Sequence, residues 1–428
     1  MKKNEEILKE VLKRVEPTKE ELDEIKYYTD KFLSEIKNNL KILHIDAEVF
    51  IGGSFAKGTV IKKGKYDIDI FIRYNKKYKN EELSNITKKA LKNISFLQIH
   101  GSRDYFRINS GKNFFIEVIP VRKINKPEEY ENITDLSYFH VKYINSKIKS
   151  KKILDEIKIA KAFCYANGCY GAESYISGFS GYSLELLVYY YKGFFNFIKG
   201  VVKMKNEKEI IDIEKKFKNK KNALMDLNTS KLNSPIILID PTYKQRNALA
   251  ALSPETYERF KKICIEFLKN PSLEFFEIKK IDLRKIKENA IKKKEEFILL
   301  EAETNKQEGD IAGSKLMKFY NHLEQEIGKF FIVKEKGFNY NNKKSARYFF
   351  VAKNKGEIIS EGPFLSDKKN VLKFKIKHKK TFSKNNKIYS KEKVNFTLRK
   401  FIDKWKTKNK KKMRDMNVLS LKEIKWTI

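Results

Sequence analysis

The sequence predicts a multidomain protein of the α+β class. Its 428 residues are enough for about two to four domains with hydrophobic cores of their own. Helical spacing of apolar residues and strict apolar–polar alternation both recur, with a mostly helical stretch between two mixed ones. These observations place the domains at 1–138, 139–258 and 259–428.

The first domain is expected to combine helices with a small sheet. A helix at 4–14 is followed by one at 18–42, where Thr18 and Glu21 have the spacing of a capping box. Strands are expected at about 47–52, 66–72, 96–100, 103–109 and 113–121, with a helix near 81–93. The sequence does not fix which of these strands are neighbours.

The second domain is expected to be mostly helical, and the third to return to a mixed pattern. Helices are expected at 155–167, ended by Gly168, at 181–198, capped by Ser180, at 208–224 and at 254–269, with a short buried segment at 235–241. From residue 270 the pattern predicts a strand at 273–276, a helix near 312–327 and strands at 329–336, 345–353 and 371–377.

The end of the chain mixes lysines with aromatic residues. The aromatic residues are Phe382, Tyr389, Phe396, Phe401, Trp405 and Trp426. Basic residues interleaved with aromatics suit RNA phosphates and exposed bases. A charged surface over an aromatic core gives the same pattern, so both interpretations stay open.

The net charge also indicates a polyanionic partner. Lys and Arg number 92 against 55 Asp and Glu, a formal charge of +37, which favours nucleic acid through phosphate contacts and counterion release. An AT-rich genome would enrich lysine without selection for binding, so the charge alone is ambiguous.

Cysteine usage and hydropathy indicate a reduced, cytoplasmic protein. Cys164, Cys169 and Cys264 have neither metal-ligand spacing nor even pairing, so we expect no disulfide. The N-terminus lacks the apolar segment of a signal peptide. The most apolar stretch, 186–202, contains two lysines and an asparagine, so no membrane partner is expected.

Paired acids carry the chemistry of the first domain. Asp67 and Asp69 are two residues apart on a predicted strand, so both carboxylates lie on the same face. Glu117 is a third acid on the later strand at 113–121. Carboxylates close together are the ligands that two-metal phosphoryl transfer requires. An isolated Asp-x-Asp pair is usually a solvated strand face, but the apolar run at 66–72 favours a functional pair.

A glycine-serine turn precedes the acids. Gly53 lets backbone N–H groups turn toward an anion, and Ser54 at the start of a short helix can bind phosphate oxygens. Turn and acids together therefore predict a site for a triphosphate and divalent metals.

These motifs resemble those of the archaeal, class I CCA-adding enzymes, tRNA nucleotidyltransferases of the polymerase-β-like superfamily. The resemblance rests on residues 52–59 (GGSFAKGT), 67–71 (DIDIF) and 116–120 (IEVIP), and more specifically on 158–163 (KIAKAF), 166–173 (ANGCYGAE), 178–182 (GFSGY), 240–241 (DP) and 246–248 (RNA). It implies a polymerase-β-like nucleotidyltransferase head, a helical neck, and a C-terminal α+β body and tail. It also implies untemplated addition of C, C and A to tRNA 3′ ends from CTP and ATP, with release of pyrophosphate.

The family's roles transfer residue by residue. The resemblance implies that Asp67, Asp69 and Glu117 are the catalytic acids and hold two Mg²⁺ ions. The nucleotide-binding residues would be Gly53, Ser54, Lys57, Lys161 and Tyr170 at the triphosphate, His140 near the incoming nucleotide, and Arg246 at the base. Judged without the resemblance, Lys161 is a solvated helix residue, Tyr170 a half-buried core aromatic, His140 a packed histidine and Arg246 a surface ion pair.

Arg246 has a chemical argument of its own. Cytosine and adenine share an exocyclic amine beside a ring-nitrogen acceptor, whereas uracil and guanine present N–H and carbonyl there. A guanidinium can donate to that acceptor, and a nearby RNA phosphate can accept from the amine.

Two residues depart from the family pattern. Family members usually carry Arg where Lys57 stands and Asp where Glu117 stands. Lysine keeps the charge but loses the planar fork, and glutamate is one methylene longer. We expect activity to survive both changes, with the preference between Mg²⁺ and Mn²⁺ open to a shift.

The implied partners are the acceptor and TΨC stems and the 3′ end of tRNA. The oligomeric state is open, a homodimer included. Two alternatives remain: another terminal nucleotidyltransferase such as a poly(A) polymerase, and a catalytically inactive RNA-binding relative.

Overall fold

The protein divides into two compact units, Met1–Lys279 and Lys280–Ile428. The computed structural model describes residues 2–111, 113–205, 208–228, 232–279 and 281–425. Each unit has a hydrophobic core of its own. The predicted α+β multidomain class is confirmed.

Unit 1 begins with a five-stranded sheet and its helices. The elements are α1 (Lys2–Val15), α2 (Lys19–Ile42), β1 (Ala47–Ile51), α3 (Gly53–Ala56), β2 (Tyr66–Tyr74), α4 (Asn80–Ala90), β3 (Leu97–Ile99), β4 (Tyr105–Asn109) and β5 (Phe114–Arg122). The strand order is β1-β2-β5-β4-β3. Strands β2 and β5 are parallel, and the other pairs are antiparallel.

The start of α2 follows the predicted capping box. The Glu21 N–H donates to Thr18 Oγ1 at 3.2 Å, and the Thr18 N–H donates to Glu21 Oε2 at 2.8 Å. On one sheet face Ile68 and Ile70 are fully buried among α2 and α4 side chains. Asp67 and Asp69, which alternate with them, therefore lie on the opposite face.

The second half of unit 1 is mostly helical. It contains α5 (Ser137–Lys147), α6 (Lys151–Ala166), α7 (Gly181–Tyr191), α8 (Phe194–Lys203), β6 (Glu209–Ile211), α9 (Lys220–Asp226), β7 (Ile236–Leu238) and α10 (Pro254–Lys269). Phe163 of α6 lies at its centre and contacts the rings of Phe194, Phe260, Phe267, Phe275 and Phe276.

Three expectations for this region are wrong. The helix expected at 181–198 is two helices, because Lys192 and Gly193 have φ of +57° and +135° and Glu156 Oε2 accepts from the Phe194 N–H at 2.8 Å. The helix expected at 208–224 is instead β6, paired in parallel with β7, and the short α9. Buried strand pairing overrides the helical propensity of its lysines there. The strand expected at 273–276 is a 3₁₀ helix, Leu273–Phe276, whose aromatic residues pack on Phe163.

The limits 1–138, 139–258 and 259–428 remain a prediction. In the structure α10 contributes Phe260, Cys264 and Phe267 to the same core as α6. Residues 259–279 therefore pack within unit 1.

Unit 2 has two sheets. Its elements are α11 (Leu283–Lys292), β8 (Glu296–Glu303), α12 (Asp310–Gly328), β9 (Phe331–Tyr340), β10 (Ser345–Asn354), β11 (Glu357–Phe364), α13 (Lys368–Lys377), β12 (Thr381–Lys384), β13 (Lys387–Lys393), α14 (Leu398–Lys408), α15 (Lys410–Asp415) and β14 (Ser420–Glu423). The strand orders are β14-β8-β10-β9 and β11-β13-β12. The strand expected at 371–377 is wrong, since α13 covers it with Asp367 as N-cap. Strands β8, β11, β12, β13 and β14 were not expected.

The aromatic residues near the end of the chain divide between core and surface. Phe401 and Trp405 are buried in the unit 2 core. Phe382 is 40% exposed and stacks on Tyr389 with ring centroids 5.5 Å apart. Trp426 lies outside the described residues. An aromatic core therefore explains part of the pattern, and Phe382 remains at the surface.

The three cysteines are free and buried in the helical core of unit 1. Burial raises the pKa of all three thiols. Among the helices that the structure describes, none has the length and apolar character needed to cross a membrane.

Phe163→Ala is expected to lower the free energy of unfolding by about 3–5 kcal/mol, because it leaves a cavity among five rings. Urea unfolding followed by circular dichroism measures the change. The control is Lys152→Ala, an exposed position on the same helix, which should change stability by less than about 0.5 kcal/mol. Equal losses in both variants would contradict the central role of Phe163.

Candidate functional site

The three predicted acids lie together on one face of the sheet. The register of parallel strands β2 and β5 places Asp69 opposite Glu117. Asp67 and Asp69 alternate with the buried Ile68 and Ile70. The strand pairing that the sequence left open thus brings the third acid beside the first two.

This group of carboxylates carries unbalanced negative charge. Burial, followed by the charges of Glu117 and Asp67, raises the pKa of Asp69 to about 7. Burial also raises the pKa of Glu117, against the opposing effect of Arg107. Asp67 lies 3.4 Å from the Lys63 ammonium. Carboxylates that resist ionisation beside one another are stabilised by a cation.

The acids fit a hard divalent cation, although they do not form a complete ligand set as they stand. Within the described residues no group of three or more His, Cys, Asp or Glu side chains is arranged to hold a metal ion. Glu117 is engaged by Arg107, whose Nε and Nη2 donate to Oε1 at 3.1 and 2.7 Å. Carboxylate oxygens are nevertheless the donors that such a cation prefers. A metal bound here would replace Arg107 as the partner of Glu117.

The glycine-serine turn packs directly against Asp69. The Gly52 N–H donates to the Asp69 carbonyl at 2.8 Å. Gly53 has φ of +61°, and a Cβ built on it would lie 1.7 Å from Asp69 Oδ2. Any side chain at this position would therefore be strained by the positive φ and would force the Asp69 carboxylate to move.

Ser54 lines a small cavity beside the acids. The cavity has a volume of about 20 Å³, and its lining includes Ser54, Thr59, Lys63, Tyr66, Asp67, Lys161 and Tyr170. It brings together the predicted serine, lysine and tyrosine of the triphosphate site. Gly53 and Lys57 flank Ser54 in the chain but are not part of the lining.

A buried glutamate binds both predicted lysines. Glu185 of α7 is fully buried, and Lys57 Nζ donates to its Oε2 at 2.6 Å. Lys161 Nζ donates to Glu185 Oε1 at 2.8 Å, and to the Thr59 hydroxyl and carbonyl at 2.8 and 3.2 Å. The Thr59 hydroxyl donates in turn to Glu185 Oε1 at 2.7 Å. We call these four residues the Glu185 cluster.

The Glu185 cluster carries one net positive charge, from two lysines and one glutamate. Burial raises the pKa of Glu185, but Lys161 and Lys57 outweigh it and lower that pKa to about 2. Burial lowers the pKa of Lys161 to about 8, against the opposing charge of Glu185. The cluster is thus an electropositive wall beside the cavity, which suits a polyanion.

Tyr170 lies close to the first turn of α7. A Cβ on Gly181 would lie 3.0 Å from the Tyr170 hydroxyl. Burial raises the pKa of Tyr170, so its phenol stays protonated and can donate at neutral pH.

His140 and Arg246 meet at a second buried acid. His140 Nε2 and Arg246 Nη1 lie 3.1 and 2.6 Å from Asp240 Oδ2. The His140 ring stacks on Tyr182, with centroids 4.0 Å apart. Lys57 Nζ lies 5.9 Å from the centre of the same Tyr182 ring, which connects this group to the Glu185 cluster.

The sequence alone predicts no role in the site for Glu185 or Asp240. Glu185 had a visible signal, because it is the one acid in the otherwise apolar helix at 181–191. Asp240 stood in a motif used for the resemblance, yet only the structure shows which side chains its carboxylate binds.

Family models match two segments of the chain. Residues 29–154 match the model described as a nucleotidyltransferase domain, and residues 155–277 match the second domain of tRNA nucleotidyltransferase. Together the two matches span the candidate site residues.

Curated relatives carry the name CCA-adding enzyme. The chain is 30% identical to that of Methanocaldococcus jannaschii over 403 residues, which cover 90% of this chain and 87% of the relative. It is 42% identical to that of Nanoarchaeum equitans over 243 residues, 56% of this chain and 59% of the relative. The match in Saccharolobus shibatae is 28% identical and covers 75% of this chain and 72% of the relative.

Solved structures share the fold. A cytoplasmic RNA terminal U-transferase has a TM-score of 0.51 and 13% identity, covering 66% of this chain and all of the other. The Cid1 RNA terminal uridylyl transferase has a TM-score of 0.52 and 12% identity, covering 66% of this chain and 99% of the other. At this identity the likeness concerns the fold alone.

Gly53→Ala is expected to weaken Mn²⁺ binding at least about tenfold, because the new methyl group displaces the Asp69 carboxylate. The matched control is Gly58→Ala, where φ is also positive at +65° but the nearest atom to a Cβ is a Leu154 methyl at 3.8 Å. Both variants should lose similar stability, and only the first should lose metal affinity. Electron paramagnetic resonance of free Mn²⁺ measures the affinity, and equal affinities would contradict the role of Gly53.

Metal affinity is also expected to depend on pH. Because the pKa of Asp69 is about 7, a metal must displace a proton below that pH and none above it. Affinity should therefore rise up to about tenfold per pH unit toward pH 7 and then level off. Mn²⁺ titrations between about pH 5.5 and 8 test this, and a constant affinity would contradict it.

Proposed function

The chain belongs to the family of CCA-adding enzymes, and on that premise we propose that it adds C, C and A in turn to the 3′ ends of tRNA. The substrates are CTP and ATP, and pyrophosphate is released. The resemblance expected from the motifs is confirmed. One observation supports the reaction most directly: the β2–β5 register, which brings Asp69 and Glu117 together next to the turn that carries Ser54.

Nucleotidyltransferases of this kind use nucleotide substrates and a divalent metal. We assign Mg²⁺ to Asp67, Asp69 and Glu117, which present only oxygen ligands. Bound there, it would neutralise the triphosphate and favour ionisation of the attacking 3′-hydroxyl. Glu117, one methylene longer than the family's usual aspartate, would serve once it leaves Arg107.

We place the triphosphate beside Ser54, in the cavity that Lys161 and Tyr170 also line, with Lys57 joined to Lys161 through Glu185. Lys57 donates to Glu185 alone among the described residues, so it has N–H groups free for phosphate oxygens. Lys161 already makes three hydrogen bonds and contributes mainly its charge. The Tyr170 phenol adds a directional donor.

The base is placed toward Arg246. Its guanidinium can donate to the ring nitrogen that cytosine and adenine share, and it rejects the N–H that uracil and guanine present there. His140 lies beside it, next to the incoming nucleotide.

The tRNA is the polyanion that the charge of +37 would attract. We assign the acceptor and TΨC stems to the basic surface of unit 2, where Phe382 is exposed among lysines. From this substrate we infer a cytoplasmic location. The oligomeric state, a homodimer included, is a matter for measurement of the molecular mass in solution.

Incubation with tRNA lacking CCA, Mg²⁺ and each labelled nucleotide is expected to give two C additions followed by one A. Asp69→Asn should lower incorporation at least about a hundredfold while tRNA binding persists, because it removes a metal ligand. Asp46→Asn, an exposed acid of the same sheet region, is the matched control and should keep full activity.

Other products would overturn the proposal in distinct ways. A homopolymer of A would indicate a poly(A) polymerase. Binding of tRNA with no incorporation under Mg²⁺ or Mn²⁺ would indicate a catalytically inactive relative.

A further inference from the structure

Asp240 is a buried carboxylate with an unusually full set of donors. Its side chain is fully buried, just after β7. Its Oδ1 accepts from the Tyr182 hydroxyl at 3.0 Å, and from the Thr242 N–H and hydroxyl at 2.8 and 2.7 Å. A buried charge is retained only where it is this well paired.

The other oxygen binds the two residues assigned to the nucleotide. Oδ2 accepts from Arg246 Nη1 at 2.6 Å and lies 3.1 Å from His140 Nε2. The backbone reinforces the pairing, because the Asp240 N–H donates to the Arg246 carbonyl at 3.0 Å. One carboxylate therefore fixes a side chain from α5 and one from the loop after β7 relative to each other.

The contact with Asp240 determines which His140 nitrogen is the donor. Burial raises the pKa of Asp240, but the hydrogen bond to His140 and the charge of Arg246 hold it below its usual range, so the carboxylate only accepts. His140 Nε2 therefore donates. Burial and the charges of Arg246 and Lys57 lower the pKa of His140, and they outweigh the hydrogen bond and charge of Asp240, which raise it. The His140 ring is therefore neutral at pH 7.

A neutral ring with a proton on Nε2 has an acceptor at Nδ1. No residue that the structure describes donates to this nitrogen. The nitrogen is nevertheless not one of the atoms that are both buried and without a partner, so it is not sealed from solvent. It is thus open to a ligand. The Tyr182 ring, stacked on the imidazole with planes 22° apart, keeps it from rotating.

We propose that Asp240 is the positioning residue for nucleotide selection. It holds Arg246 as a hydrogen-bond donor and presents His140 Nδ1 as a hydrogen-bond acceptor toward the incoming nucleotide. The proposal rests on the proposed function and adds a second recognition point to it.

The group that His140 Nδ1 recognises is a hydrogen-bond donor on the nucleotide. Two such donors occur in CTP and ATP: the exocyclic amine of the base and a ribose hydroxyl. A fixed acceptor discriminates strongly against substrates that lack the matching hydrogen-bond donor, because such a substrate leaves the acceptor unpaired.

Asp240→Asn tests the positioning role. Asparagine keeps the shape of the side chain but loses the charge and presents N–H groups on one arm. We expect the ratio of kcat/KM for CTP over UTP on tRNA lacking CCA to fall at least about tenfold. The control is Asp212→Asn, a half-buried acid of the same unit that accepts from the Phe217 N–H at 2.9 Å, and its ratio should not change.

A second experiment leaves Asp240 in place, so its result does not depend on the stability of the Asp240→Asn variant. Unmodified protein and His140→Ala are compared with CTP, 2′-deoxy-CTP and a CTP analogue lacking the 4-amino group. If Nδ1 accepts from the amine, the deaminated analogue loses at least about tenfold in kcat/KM in the unmodified protein and almost nothing further in His140→Ala. If it accepts from the ribose, the 2′-deoxy compound shows that pattern.

The outcomes separate this inference from the proposed function. Unaltered selectivity in a folded Asp240→Asn variant, with C and A still added by the unmodified protein, overturns the inference alone. Equal analogue penalties with and without His140 overturn the acceptor role. No addition by the unmodified protein overturns both.

Discussion

The ion pairs of Glu185 are the interaction on which the rest of unit 1 depends. This carboxylate on α7 binds Lys57 and Thr59, which follow the Ser54 turn, and Lys161 on α6. It therefore ties the loop of the sheet region to the helical region through buried ion pairs and a hydrogen bond. Removing one partner of such a buried set is strongly destabilising. The turn that packs on Asp69 is therefore stabilised by contacts of the residues after it with α7, a helix distant in sequence.

The sheet and its acids were largely predictable, since they rest on local rules. Alternation places Asp67 and Asp69 on one face, and the Thr18 capping box starts α2 as expected. The pairing of β2 with β5 was not predictable, because parallel partners are chosen by long-range packing. The same limit explains the errors at 181–198 and 208–224. There Gly193, the Glu156 contact with the Phe194 N–H, and the pairing of β6 with β7 override helical periodicity.

The candidate site shows a similar division. The residues proposed to contact a ligand, such as Ser54 and Arg246, stand in motifs that the sequence displays. Glu185 and Asp240 hold other residues of the site in place. Glu185 stands out as the one acid of α7, but the partners of both carboxylates are visible only in the structure. Each is fully buried and binds two predicted nucleotide-binding side chains. Sequence motifs thus indicate which residues line the candidate site, whereas the buried ion pairs that hold those residues join segments distant in sequence.

The three buried cysteines have a practical consequence for spectroscopy. Only three cysteines occur in the chain, and burial raises the pKa of each thiol, so thiol reagents should react with them slowly. A cysteine introduced on the exposed surface of α13 and another on α4 would then be the reactive pair in an otherwise native background. Fluorophores attached there would report the distance between the two units during a single catalytic cycle, without prior removal of native thiols.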